Sequence, residues 1–116
     1  MPSNASRGAY YKGRSKKFLE AAGYAVFDME IQRIIYTPDG MLPTKRDQAG
    51  ADLMFFDLAA GVVVFVQVKG GASKSIATLT KDAMRAFEKF TFPFHSRREL
   101  HVWRPLARAP EVVQCL

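Results

Sequence analysis

Five consecutive β-branched or aromatic residues, Val62-Val63-Val64-Phe65-Val66, follow the small-residue segment Ala59-Ala60-Gly61 and lead into Gln67-Val68-Lys69-Gly70-Gly71. A strand with no polar alternation has to be covered on both faces. The run is far too short to cross a bilayer. It therefore belongs inside a layered domain, with material packed above and below a sheet. Residues Ala51 to Leu58 read as a strand too, and Ala59-Ala60-Gly61 as the turn that makes the two a hairpin.

The remaining elements are read around that hairpin. Residues 1–12 are rich in Ser, Asn and Gly, show no period, and are expected to form a flexible basic arm. Residues 13–116 form a single domain. Phe18, Leu19 and Ala22 share a helical face between Gly13 and Gly23, and Gly23 is a natural stop. Tyr24 to Phe27 begins a strand, which Ile31 to Tyr36 continues or follows as a second one. The polar stretch Thr37 to Gly50 is expected to be a long loop. Leu79, Ala83, Phe87 and Phe90 make one stripe of a second helix from about Leu79 to Thr91. Leu100 to Arg104 and Glu111 to Cys115 are short strands. The order helix, strand, hairpin, helix, strand, strand implies an α/β fold.

Composition narrows the partners. The chain of 116 residues carries a formal charge of +6. A basic balance on one small domain favours an anionic partner, nucleic acid above all, although many soluble proteins are basic for solubility alone. The one cysteine, Cys115, excludes an intrachain disulfide and a cysteine-based metal site, and fits a reducing compartment. No signal-peptide pattern is present. The expectation is a cytoplasmic protein without a membrane partner.

The chemistry gathers on the hairpin. Asp52 opens one strand and Gln67-Val68-Lys69 closes the other, in a D-x14-QxK pattern. Pairing around the turn brings Asp52 beside Gln67. Residues two apart share a face, so Gln67 and Lys69 point the same way while Val68 points away. A hard cation such as Mg²⁺ or Mn²⁺ takes oxygen ligands, here the Asp52 carboxylate, the Gln67 amide oxygen and the Val68 carbonyl. Lys69 is the group to orient a nucleophile and neutralise charge on a phosphate. Taken singly, each of these residues has an ordinary reading as a polar residue at a strand end. The cluster is what points to phosphodiester hydrolysis.

These residues resemble those of the PD-(D/E)xK nucleases, in particular the Holliday-junction-resolvase-like branch of archaea and phages. The likeness runs from about Lys12 to Trp103. It is carried by Tyr11-Lys12-Gly13-Arg14, Leu19-Glu20-Ala21-Ala22-Gly23-Tyr24, Gly50-Ala51-Asp52-Leu53, Phe65-Val66-Gln67-Val68-Lys69 and Val102-Trp103. The resemblance implies a restriction-endonuclease-like αβββαβ core with a mixed sheet between helices. It implies Mg²⁺-dependent cleavage of branched or structured DNA, with Asp52 as metal-binding acid and Lys69 as motif lysine. It also implies a homodimer, since a junction takes two symmetric cuts. Two positions depart from the pattern. Gln67 stands where the second acid is usual, and Lys17 where the first helix often carries glutamate. Glu20, one turn on, is a possible additional acid or an ordinary solvated helix residue.

Nucleic acid is expected along the basic positions. Arg7, Lys12, Arg14, Lys16 and Lys17 lie between Met1 and Leu19 without an acid, and Lys74, Lys81 and Arg85 follow the candidate catalytic strand. Such cations neutralise phosphates and release counterions whatever the base sequence. His95 and His101 lack ligand spacing and read as structural or surface residues. Two other functions fit the same pattern: a catalytically weakened or inactive DNA-binding module, and a restriction or repair nuclease acting on duplex DNA.

Overall fold

The computed structural model describes residues 4–38, 40–47, 50–71, 73–93 and 95–115, with the backbone alone described for 4–7, 30–37 and 40–47. Helix α1 (Asn4–Ala21) is followed by β1 (Val26–Asp28), β2 (Glu30–Thr37), β3 (Gly40–Asp47), β4 (Leu53–Asp57), β5 (Val62–Gly70), α2 (Ile76–Glu88), β6 (Ser96–Trp103) and β7 (Glu111–Gln114). Five strands form one mixed sheet in the order β1-β4-β5-β6-β7, and β2-β3 form a separate two-stranded ribbon. The result is an α/β fold whose sheet lies between two helices.

The apolar run sits in the middle of this sheet because its side chains alternate between two cores. Val64 and Val66 pack with Leu19, Leu53 and Phe55 on the α1 side. Phe65 packs with Leu79, Ala83, Phe87, Leu100 and Val102 on the α2 side. Burying Val, Leu or Phe side chains in this way stabilises the fold by about 1.5–3 kcal/mol each. Strands β5 and β6 run parallel, with Gln67 opposite Leu100 and Lys69 opposite Val102. Parallel neighbours need a crossover, and α2 supplies it. Leu79, Ala83 and Phe87 recur every four residues, so a single helical face meets the sheet. Ser75 caps that helix by accepting from the Thr78 N–H at 3.2 Å.

Helix α1 ends as its sequence suggests. Gly23 has φ +98°. Its N–H donates to Glu20 O at 3.0 Å and the Tyr24 N–H to Leu19 O at 3.1 Å, a Schellman closure. Tyr24 then lies 4.6 Å from Phe55, ring to ring. The first helix begins earlier than expected. The segment read as an arm through residue 12 is helical from Asn4. Tertiary contacts explain the extension. The Tyr11 ring lies against Gly70, where an added Cβ would come within 1.9 Å of it, and Tyr11 also approaches Trp103.

The second correction concerns residues 37–50, expected as a long loop. Most of that stretch is β3, paired antiparallel to β2 from Glu30↔Asp47 to Thr37↔Gly40. The sequence concealed it because Pro43 and Lys45-Arg46-Asp47 break any apolar alternation. In a two-stranded ribbon every strand is an edge, where proline is tolerated and no buried face has to be written into the pattern. Residues 39, 48 and 49, which belong to the same expected loop, lie outside the described residues.

Candidate functional site on the hairpin of β4 and β5

Strand β4 pairs with β5 in the register Leu53↔Val66 through Asp57↔Val62. One step beyond that ladder, Asp52 stands beside Gln67, as the hairpin reading requires. The chain bends at Asp52. Its N–H still donates to Val66 O at 2.8 Å, and its carbonyl accepts from the Met29 N–H at 2.9 Å. Asp52 is thereby held between β1 and β5. Its side chain completes the ladder, because Asp52 Oδ2 accepts from the Val68 N–H at 2.7 Å. A charged acceptor makes this a short, strong bond.

Gln67 is held from the other direction. Its Nε2 donates to Gly50 O at 2.9 Å. Gly50 has φ +67°, and a Cβ there would come within 2.8 Å of the Ala86 carbonyl on α2. Glycine alone lets the 50–52 segment pass that close to α2 and present its carbonyl to Gln67. With the amide nitrogen committed, the amide oxygen is oriented by default. That oxygen, Gln67 Oε1, is buried and has no hydrogen-bond partner among the described residues. Leaving such an atom without a partner costs about 1–3 kcal/mol, so it is an acceptor available to a ligand or ion.

Lys69 lies two residues further along β5, on the side of the sheet that faces α2. It is half-buried and lines a cleft of about 290 Å³ with Gly70, Gly71, Ser73, Lys74 and Asp82. Lys74 enters that cleft on a loop held by Arg104, whose Nη1 donates to Lys74 O at 2.6 Å. Asp52, Gln67 and Lys69 therefore occupy one end of β4-β5. Val68 contributes its N–H to Asp52. Among the described residues no three His, Cys, Asp or Glu side chains gather at a point. The donor set fits a hard divalent cation, since both Asp52 and Gln67 offer oxygen and one of those oxygens is buried and unsatisfied.

The other predicted residues are more dispersed. Glu20 is exposed on α1, whose buried residues Ser15 and Leu19 face the opposite side of the sheet from Gln67 and Lys69. Lys12 forms a 3.0 Å ion pair with Asp28. Arg14 is packed over Trp103, Lys16 is half-buried, and Lys17, Lys74, Lys81 and Arg85 are exposed. The side chain of Arg7 lies outside the described residues.

Sequence reasoning missed the polar cluster under α1. Ser15 is fully buried. Its Oγ accepts from Trp103 Nε1 at 2.7 Å and bonds His101 Nδ1 at 3.1 Å. His101 Nε2 lies 3.9 Å from Glu99, which also pairs with Arg97 at 3.2 Å. His101 is thus a buried structural residue, one of the two readings its sequence context allowed. No spacing in the sequence links Ser15 to Trp103, because only packing brings α1 over the end of β6.

Comparison with protein-family models finds no match to this chain, and comparison with curated proteins finds none either. What the site can do rests on its geometry and chemistry. No helix among the described residues is long and apolar enough to cross a membrane.

Proposed function

We propose that the chain is a metal-dependent endodeoxyribonuclease of the PD-(D/E)xK kind, with a restriction-endonuclease-like core, acting as a homodimer on branched or structured DNA. One observation carries this reading. Gln67 is locked by Gly50 so that its buried amide oxygen stays unsatisfied one residue across from the Asp52 carboxylate, with Lys69 next along the same face. An oxygen in that position, beside a carboxylate and a lysine, is a natural ligand for a hard cation.

Asp52 and Gln67 would hold Mg²⁺ or Mn²⁺. Such a cation supplies Lewis-acid polarisation of a phosphoryl oxygen and a nucleophile at neutral pH. Lys69 supplies a fixed positive charge in a half-buried cleft, where it neutralises charge developing on the phosphate better than an ammonium in bulk water. Lys74 adds a second cation to this cleft, which Asp82 also lines. The αβββαβ order corresponds to α1, β1, β4, β5, α2 and β6, with the β2-β3 ribbon inserted and β7 added at the edge.

The bond from Val68 to Asp52 favours a second reading. A carboxylate that completes a ladder has a structural task of its own, and a DNA-binding module without catalysis would keep it. The deciding experiment incubates labelled junction, flap, duplex and single-stranded DNAs with the protein in Mg²⁺, Mn²⁺ or EDTA. Asp52→Asn is the informative variant, since its amide oxygen still accepts from Val68 while the charge is gone. Metal-dependent cleavage by the native chain that is lost in folded Asp52→Asn supports the nuclease. Cleavage undiminished in that variant, from a preparation free of contaminating nuclease, refutes the site.

A further inference from the structure

The C-terminal end of β6 carries a second collection of charge that the hairpin site does not use. Trp103 pairs with Gly70, the residue after Lys69, so this place lies at the same end of the sheet. It lies on the α1 side, since Trp103 donates to Ser15 of α1. Arg14 stacks there, its guanidinium 4.3 Å from the Trp103 ring centre, and donates Nη2 to Ala107 O at 3.1 Å. Stacking and that hydrogen bond hold the planar fork in one orientation, with further N–H donors left over. Lys17 is three residues on, hence on the same helix face. Arg108 arrives from the 104–110 loop, which Leu106 turns with φ +63°. Together with Phe18 and Trp103 these three cations line a pocket of about 260 Å³.

What sets this pocket apart is three cations from two segments on one lining, without a paired carboxylate among the described residues. Lys12 pairs with Asp28, Arg97 with Asp57 and Glu99, and Arg104 with Glu111. Arg14, Lys17 and Arg108 have no carboxylate within 4 Å among the described residues. Three like charges brought together from two segments repel one another, and a bound anion relieves that repulsion. Trp103 itself offers no stacking surface, being only 2% exposed with Arg14 over its ring, so charge is the main thing it helps to present.

We propose that Arg14, Lys17 and Arg108 form a phosphate-binding pocket that takes one backbone phosphodiester of nucleic acid, remote from the bond positioned at Lys69. The proposal rests on the reading of the chain as a DNA-binding protein, and it adds where the strand runs: around the end of the sheet, from the Lys69 cleft to the α1 side. Recognition there is by charge and geometry, independent of base sequence.

The test is equilibrium binding of labelled duplex and junction DNA in EDTA, across a salt series. Arg108→Ala and Lys17→Ala are compared with Lys89→Ala, which removes one charge from the end of α2. Arg14 is left in place because it packs on Trp103. Losing one phosphate contact makes the slope of log affinity against log salt shallower by about 0.9, and lowers affinity on the order of tenfold at 0.1 M salt. Arg108→Ala and Lys17→Ala should each show this, and Lys89→Ala should not. Slopes equal to the native one, or to that of Lys89→Ala, overturn the pocket, as does a native chain that binds no DNA. A native chain that binds but does not cleave with any metal overturns the nuclease reading, and the slopes still decide the pocket.

Discussion

On the α1 face of the sheet, Ser15 Oγ joins His101 and Trp103 within hydrogen-bonding distance of both. On the α2 face, Gln67 donates one bond and keeps a buried oxygen without a partner. Both faces bury polar groups in the same small domain. The first ties Ser15 Oγ to two partners and leaves His101 Nε2, 3.9 Å from Glu99, without a hydrogen bond among the described residues; such networks specify packing. The second is open at one atom, beside a carboxylate and a lysine. The difference lies in the surroundings: His101 Nε2 has the Glu99 carboxylate near it, whereas Gln67 Oε1 belongs to a strand end that also carries Asp52 and Lys69.

The contrast makes the two faces separable by mutation, and the largest effect is expected on the open side. Lys69→Ala should lower cleavage by on the order of 10²–10³-fold while leaving the urea unfolding midpoint within error of the native value. A matching loss of stability would mean that Lys69 is a packing residue and the open face is not a site.

Ser15→Ala probes the α1 side. It removes the acceptor of the buried Trp103 Nε1 and should cost about 1–3 kcal/mol in urea unfolding. Cleavage per folded molecule should be unchanged. Lost cleavage in folded protein would show that the two faces are coupled, through Trp103 and its neighbour Gly70.

Gln67→Glu tests whether the open atom is meant for a cation. The new carboxylate sets an oxygen against the Gly50 carbonyl that now accepts from Nε2. In EDTA the variant should therefore be less stable than the native chain, by about 1–3 kcal/mol. Mg²⁺ or Mn²⁺ should recover it, with about 2.7 kcal/mol gained at a hundred times the dissociation constant. Thermal unfolding with and without metal measures both. A variant whose melting temperature ignores metal would remove the cation from the site.

The smallest effect belongs to Cys115, buried just after β7 in the core on the α2 side. Burial pushes its thiol above the ordinary value, with Glu99 adding to the rise and Arg98 opposing it. The folded state therefore prefers the neutral thiol. Its contribution to stability is whole below the ordinary thiol pKa and fades as pH rises through the folded value. Alkylation by iodoacetamide near neutral pH should be slow in the native chain and fast in urea. Rapid native alkylation would place the thiol at the surface.

The hairpin of β4 and β5 was legible because its residues state their own geometry. An apolar run without alternation requires cover on both faces, and Ala59-Ala60-Gly61 sets the register that opposes Asp52 to Gln67. The stop at Gly23 and the four-residue spacing of Leu79, Ala83 and Phe87 are likewise local, since capping and amphipathicity act over one or two turns. Much else was not local. Residues 4–12 are helical because Tyr11 finds Gly70 and Trp103 far along the chain. Residues 40–47 are a strand because β2 lies alongside them. The Gly50 carbonyl that orients Gln67, the Ser15 cluster and the meeting of Arg14 with Arg108 all join segments distant in sequence. Local pattern determined which residues could form strand, helix and site. Tertiary packing decided which polar atoms found partners and which were left open, because a hydrogen bond depends on distance in space and carries no trace in sequence spacing.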